Sequence, residues 1–463
     1  MYRRVVRRLG SRGVRAFALA CCLLAVAAGP ALAHGGTLRG NQQELAIPTW
    51  LFLSTGGGAV GASFLLASFA TDRAFVRSVH RARDALSLPA RDLLVAATRL
   101  VGVVGLLAVL VVGWVGPVDP LQNLAVLVVW GGWWAGFAMT TYLVGDAWPV
   151  LNPWRTVGRY LPSLGYDYPE RLGAWPSVVG LLLLIWVEVV SPLADDPRLL
   201  TVVVAAYTVV TLGGVLVVGE GVWFRRVDPV SRVFAYYGRV APVSRTESGL
   251  ELRLPGSALT ESRLAVDSSE VGFVVALVWV TTYDGFVATP VWRTLVTPLV
   301  EAGLPPALLY PLALVVGYVL FLGAFRLAAR KGREYAESYL AAGEIARRFA
   351  PSLLAIAAGY HLAHYLGYFL SLLPMLVGAL LSPFSPPPPE YLVLPAWVGG
   401  LELLFVLVGH LLAIWVAHAT AYALFPGRMQ AIRSQYPLTA VMILYTMTSL
   451  LIVSQPAIDP PYL

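Results

Sequence analysis

Runs of about 20 apolar residues recur along the whole of this 463-residue chain. As a helix, each run is long enough to cross a hydrocarbon core of about 30 Å. With 58% of residues hydrophobic and 13% charged, no room is left for a large soluble domain. The expected fold class is all-α, a polytopic transmembrane helix bundle. About ten spans are expected, near residues 47–70, 92–115, 123–144, 176–193, 199–219, 271–289, 306–329, 351–375, 394–424 and 437–455. Together they make a single transmembrane helical domain over residues 34–463, with the lipid bilayer as its partner.

Residues 1–33 read as a secretory signal sequence. Arg3, Arg4, Arg7, Arg8, Arg12 and Arg15 form a basic leader, an apolar segment follows, and Ala31-Leu32-Ala33 has the form of a cleavage site. Removing those six arginines brings the net charge of +7 to about +1, so the basic balance is no argument for nucleic acid. Cys21 and Cys22 are the only cysteines, and both lie in this segment. The mature chain therefore has no disulfide, thiolate zinc site or cysteine-held iron–sulfur cluster.

Charge sets the expected orientation. With the mature N-terminus outside, Arg39, Arg198 and Arg293 are external, and the other 24 Lys and Arg beyond the signal lie in or beside cytoplasmic connections. This positive-inside bias predicts a multi-pass protein of the cell membrane with both termini outside. The one large connection, residues 220–270, is expected on the cytoplasmic side. Asp228 and Pro229 suit a helix start. Interleaved aromatic and Arg residues suggest an interfacial helix, SGLELRL alternates like a strand, and the whole reads as a small surface flap.

Four of the six histidines fall in two consecutive apolar runs, as His361 and His364 in GYHLAHY and His410 and His418 in GHLLAIWVAH. Imidazole in hydrocarbon is costly to leave unpaired, and it can ligate metal or haem or pass a proton. At a rise of about 1.5 Å per residue, His364, His410 and Asp284 come to roughly one depth, about 20–22 Å from the cytoplasmic ends of their spans. His361 and His418 lie nearer the cytoplasm, and each pair shares one flank of its helix. Three functional readings fit. Haem can be held axially by His364 and His410; a copper, iron or zinc ion can take three or four imidazoles; or a proton can pass along the set. The bland alternative is that each imidazole bonds a neighbouring carbonyl or hydroxyl.

Asp284 can ligate metal, orient an imidazole or bind a proton; equally, Asp284-Gly285 can mark a helix break ahead of Pro290. Glu188 and Glu402 are expected to snorkel or to bond a neighbouring helix. His34, first in the mature chain, can chelate copper through its amine and imidazole, although a solvated terminus is the plainer reading. His80, among arginines, reads as a surface residue. Gly57-x-x-x-Gly61 is a close-packing pattern. The Trp-rich WPVLNPWRT is more polar than a membrane-boundary aromatic belt requires.

With LNPWRT, VDPVSRVFAYYGRVAP, FAPSLLAIAAGYHLAHY, GHLLAIWVAHATAYALFPGR and QYPLTAVMILYT in view, the chain resembles an uncharacterised family of polytopic membrane proteins from halophilic archaea and high-GC actinobacteria. The resemblance runs from the third span to the last and implies a multi-pass membrane fold. No activity attaches to it, so it carries over no ligand or catalytic residue. The residues by themselves suggest a membrane redox or metal-handling protein, with His361, His364, His410 and His418 holding haem, copper or iron. Such a protein exchanges electrons with an external carrier or membrane quinone. The alternatives are a proton-coupled transporter using Asp284 and the histidines, and a non-catalytic assembly scaffold.

Overall fold

A computed structural model of the chain describes residues 49–69, 72–74, 76, 83–86, 90–246, 249–261, 265–395, 397–456 and 458–462. The expected signal segment, His34 and His80 lie outside the described residues. The chain forms α1 (Thr49–Phe69), α2 (Arg91–Val115), α3 (Leu124–Leu143), α4 (Trp175–Val190) and α5 (Pro197–Val218). A short α6 (Pro229–Tyr237) leads to α7 (Ser268–Val287), α8 (Pro290–Glu301) and α9 (Pro306–Tyr335). Then come α10 (Ala342–Phe349), α11 (Leu353–Leu381), α12 (Trp397–Leu424) and α13 (Arg428–Val453).

Among the described residues, eight helices are long and apolar enough to cross a membrane: α2, α3, α5, α7, α9, α10 continued into α11, α12 and α13. The other two expected runs fall on α1 and α4, whose apolar stretches are shorter. This is a multi-pass, all-α membrane bundle. α13 begins at Arg428, ahead of the start expected from Pro437, because that proline is accommodated inside the helix.

α7 is the hub of the bundle. Its sequence is apolar nearly all round, which suits a helix buried on every side, and most of its residues are buried. It packs against α4, α9, α11 and α13. Asp267 starts it by accepting hydrogen bonds from the backbone N–H groups of Ser269 and Glu270 at 2.8 and 3.2 Å.

α11 and α12 cross backbone to backbone. A Cβ on Gly359 would lie 2.7 Å from the Phe405 carbonyl oxygen and 2.8 Å from Gly409 Cα, and one on Gly409 would lie 2.6 Å from the Ala355 carbonyl oxygen. Only paired glycines permit so close an approach. The middle of α3, Leu127–Phe137, is π-helical. Its Gly131, Gly132 and Gly136 meet Leu372, Leu376 and Phe369 of α11, which leaves Trp133 and Trp134 on other faces of the widened turn.

The connection over 220–270 is more deeply built in than the expected surface flap. Asp228 does cap α6, accepting from the Ser231 N–H at 3.0 Å, but α6 is buried along almost its whole length. It packs on α3, α4 and α11, because Val230, Val233, Phe234 and Tyr237 all need apolar neighbours. SGLELRL does supply a strand. β3 (Leu250–Arg253) lies between β1 (Arg83–Leu86) and β2 (Val243–Arg245) in an antiparallel sheet, with Arg83 opposite Arg253 and Val243 opposite Leu252.

Candidate functional site

The four helical histidines do not form one cluster. Taking the Gly359–Gly409 contact as the crossing point of antiparallel helices, His410 is level with residue 358. His364 is six residues further along, about 9 Å at the rise of a helix. The expected shared depth of His364 and His410 is therefore displaced by that amount, since glycine contact and not loop length sets the register. His361 lies two residues from Gly359, about 200° round the wheel, and so faces away from α12.

Each imidazole accordingly has its own surroundings. His361 is buried, and its Nδ1 lies 3.0 Å from the Tyr142 hydroxyl of α3. Trp134, Tyr142, Tyr237 and Tyr365 ring it with centroids 4.5–6.1 Å away. His410 is buried with its Nδ1 2.7 Å from the Val406 carbonyl oxygen one turn back in its own helix. The Nε2 atoms of His361 and His410 are both buried without a hydrogen-bond partner. His418 is fully buried, between Trp415 and Tyr422. Arg73 lies over Tyr422 and donates to the Phe425 carbonyl oxygen at the end of α12 at 2.7 Å. Among the described residues, no group of three or more His, Cys, Asp or Glu side chains is arranged to hold one metal ion.

His364 stands within ion-pair distance of a carboxylate. Its Nε2 stands 3.4 Å from Asp284 Oδ2, and its side chain is 35% exposed against 6% for the aspartate. Tyr365 donates its hydroxyl to the same Oδ2 at 3.1 Å and accepts from Trp134 Nε1 at 3.1 Å. A continuous polar line thus runs from α3 through α11 to α7. Gly285 makes the contact possible: a Cβ there would meet the Tyr360 hydroxyl at 2.6 Å, and Tyr360 in turn stacks on His364 with rings 8° apart. The alternative of a helix break at Asp284-Gly285 is not met, as α7 continues to Val287.

Residues set aside on sequence grounds belong here as well. Glu188 of α4 is within electrostatic reach of Asp284, and its Oε2 is buried without a hydrogen-bond partner. Glu402 of α12 is within electrostatic reach of His364. Neither pairing has a sequence signal, because the partners sit on helices far apart in the chain. Tyr360 and Tyr365 had one, since both flank the histidines in GYHLAHY.

At the arginine-rich end, two of the sequence motifs meet. Asn152 of LNPWRT accepts from the Arg155 N–H at 2.9 Å, starting the turn of helix at Pro153–Gly158. It also donates to the Ser231 hydroxyl of VDPVSR at 3.2 Å, and Trp148 Nε1 donates to the same hydroxyl at 3.3 Å. Trp133, Phe137 and Phe234 pack around Trp148. Burial pushes the Asp146 carboxyl up to about 6, against the lowering effect of the Trp148 N–H, Arg155 and Arg239. Comparison of the chain with protein-family models, curated proteins and solved structures finds no match.

Proposed function

We propose that this is a proton-coupled membrane transporter for a small solute or ion, with Asp284 and His364 as its proton-carrying pair. One observation carries the reading: a buried carboxylate inside the bundle stands 3.4 Å from an imidazole that is itself one-third exposed. Ionisable residues at such depth are expensive in a membrane and mark proton or ion pathways. An exposed imidazole can take up a proton, and the buried carboxylate then holds it as an ion pair. Loss of that proton removes the ion pair while the Tyr365 hydroxyl stays on Oδ2, so the strength of the α7–α11 contact depends on protonation. Glu188 and Glu402 are placed to share the charge on either side. The proposed orientation is the one the charge bias favours, with the arginine-rich end cytoplasmic, about ten spans and both termini outside the cell membrane.

The test is reconstitution into vesicles carrying an internal pH dye, followed by a panel of small solutes and ions. Solute-dependent acidification that is lost in both Asp284→Asn and His364→Gln supports the reading. Solute flux that persists unchanged in both variants sinks it.

A second reading, a haem or copper or iron centre held by imidazole, rests on His410. Its Nδ1 is engaged by a backbone carbonyl while its buried Nε2 has no partner, the pattern of a ligating histidine. His361 also has a buried Nε2 without a hydrogen-bond partner, but its Nδ1 meets the Tyr142 hydroxyl and not a carbonyl. It lies on the far side of α11, so the two would serve separate centres, with electrons exchanged with an external carrier or a membrane quinone. His364 and His418 would be additional ligands only if their present contacts were given up. Purified protein with neither a Soret band nor stoichiometric metal would remove this reading.

A further inference from the structure

We propose that Arg99, Arg159 and Arg245, with Arg155 beside them, form a binding site for the phosphate of an anionic phospholipid headgroup at the arginine-rich end of the bundle. The residues come from three separate elements that close packing brings together. α2 touches the LNPWRT segment, since a Cβ on Gly102 would lie 1.8 Å from the Leu151 carbonyl oxygen. Arg99, one turn earlier, lies on the same face of α2. Arg159 closes the helical turn Pro153–Gly158. β2 is tied under α3 by the Val243 N–H, which donates to the Val144 carbonyl oxygen at 2.9 Å. Arg245, two residues on, points to the same side of the strand as Val243.

The charge balance of this group is one-sided. The carboxylates beside it are Glu220, which Arg155 already holds at 2.5 Å, and Asp146, within electrostatic reach of Arg155. Among the described residues, Arg99, Arg159 and Arg245 form no ion pair, and Arg99 Nε is buried without a hydrogen-bond partner. Desolvation, and then the like charges of Arg99, Arg155 and Arg245, hold the Arg159 guanidinium below its ordinary value, while Glu220 alone opposes them. Positive-inside topology explains why arginines lie at this end. It does not explain why four converge on one place with only Glu220 and Asp146 beside them. A phosphate would pair with the guanidinium groups in their preferred geometry and is placed to accept from the unpartnered Arg99 Nε.

A lipid is favoured over a soluble anion by what surrounds the arginines. Leu100 and Val104 of α2 are 64% and 53% exposed, and Tyr160 beside Arg159 is 85% exposed. An acyl chain can lie along that face of α2 while the headgroup meets the guanidinium groups, as basic pockets between membrane helices do.

The test uses the full-length protein in nanodiscs of phosphatidylcholine alone, in nanodiscs with phosphatidylglycerol added, and in phosphatidylcholine nanodiscs with inorganic phosphate. Phosphatidylglycerol is expected to raise the thermal midpoint, and inorganic phosphate to do so much less. Arg99→Gln and Arg159→Gln should each weaken the phosphatidylglycerol effect on the order of fivefold. Arg333→Gln, at the same end on α9, should leave it intact. An equal response to inorganic phosphate overturns the lipid assignment. So does a phosphatidylglycerol effect that survives in the Arg99→Gln/Arg159→Gln double variant, or one that is lost equally in Arg333→Gln.

Discussion

Tyr365 of α11 and Asp284 of α7 are joined by a 3.1 Å hydrogen bond between helices that no loop connects directly. The same tyrosine oxygen accepts from Trp134, so one hydroxyl ties three helices together. Tyr365→Phe removes the donor to Asp284 and leaves the Trp134 N–H without its acceptor. A loss of about 1–3 kcal/mol is expected for stranding buried polar groups in this way. Thermal unfolding in detergent measures it, with Tyr160→Phe at an exposed site as the reference. Equal midpoints for the two variants would contradict the role given to Tyr365.

The α11–α12 crossing makes a second prediction. Gly359→Ala and Gly409→Ala each place a methyl group against opposing backbone at 2.6–2.8 Å. Backbone cannot swing aside as a side chain can, so each should destabilise by about 1–3 kcal/mol. Gly400 of α12 has nothing within 4 Å of its Cβ position. Gly400→Ala should be neutral or gain about 0.5–1 kcal/mol from reduced chain entropy. The contrast within one helix separates crowding from a general intolerance of substitution.

The carboxyl of Asp146 bears on pH. Its folded value of about 6 lies above the ordinary 3.8, so the folded state binds its proton more tightly than the unfolded chain. Its contribution to stability is therefore complete below the ordinary value and is lost as pH rises through about 6. Asp146→Asn keeps an acceptor for the Trp148 N–H, which the native carboxylate holds at 3.0 Å, and removes the titration. Unfolding midpoints between pH 4 and pH 7 should vary less in the variant than in the native protein. A slope as steep in the variant would assign the titration elsewhere.

Arg232 provides a test of the buried connection. It is paired with Glu270 at 3.3 Å, with side-chain exposures of 7% and 15%, and lies over Tyr236 and Phe273 at 5.4 and 5.1 Å. Arg232→Ala should lose about 3 kcal/mol by leaving Glu270 uncompensated. Arg232→Lys should recover only part, since an ammonium lacks the planar face that stacks on the rings. Full recovery by lysine would show that charge alone matters.

Much of this was legible in the chain itself. Apolar runs of membrane length foretold the helices, because helix length and hydrocarbon thickness are tied by a fixed rise per residue. The cap at Asp228 and the strand in SGLELRL were equally local, each set by side chains within a few residues. The histidine pattern in GYHLAHY also picked out the helix that carries His364, one half of the candidate pair. What the sequence could not determine was which residues meet. The glycine contact of α11 with α12 moved His364 and His410 out of register, and the widened turn of α3 brought Trp134 to Tyr365. Depth counting put Asp284 level with His364, but tertiary packing made the contact, brought Glu188 within reach of Asp284 and Glu402 within reach of His364, and buried α6 where a surface flap was expected. The reason is physical: period and hydropathy are properties of one segment, whereas register and partner depend on where two backbones can touch.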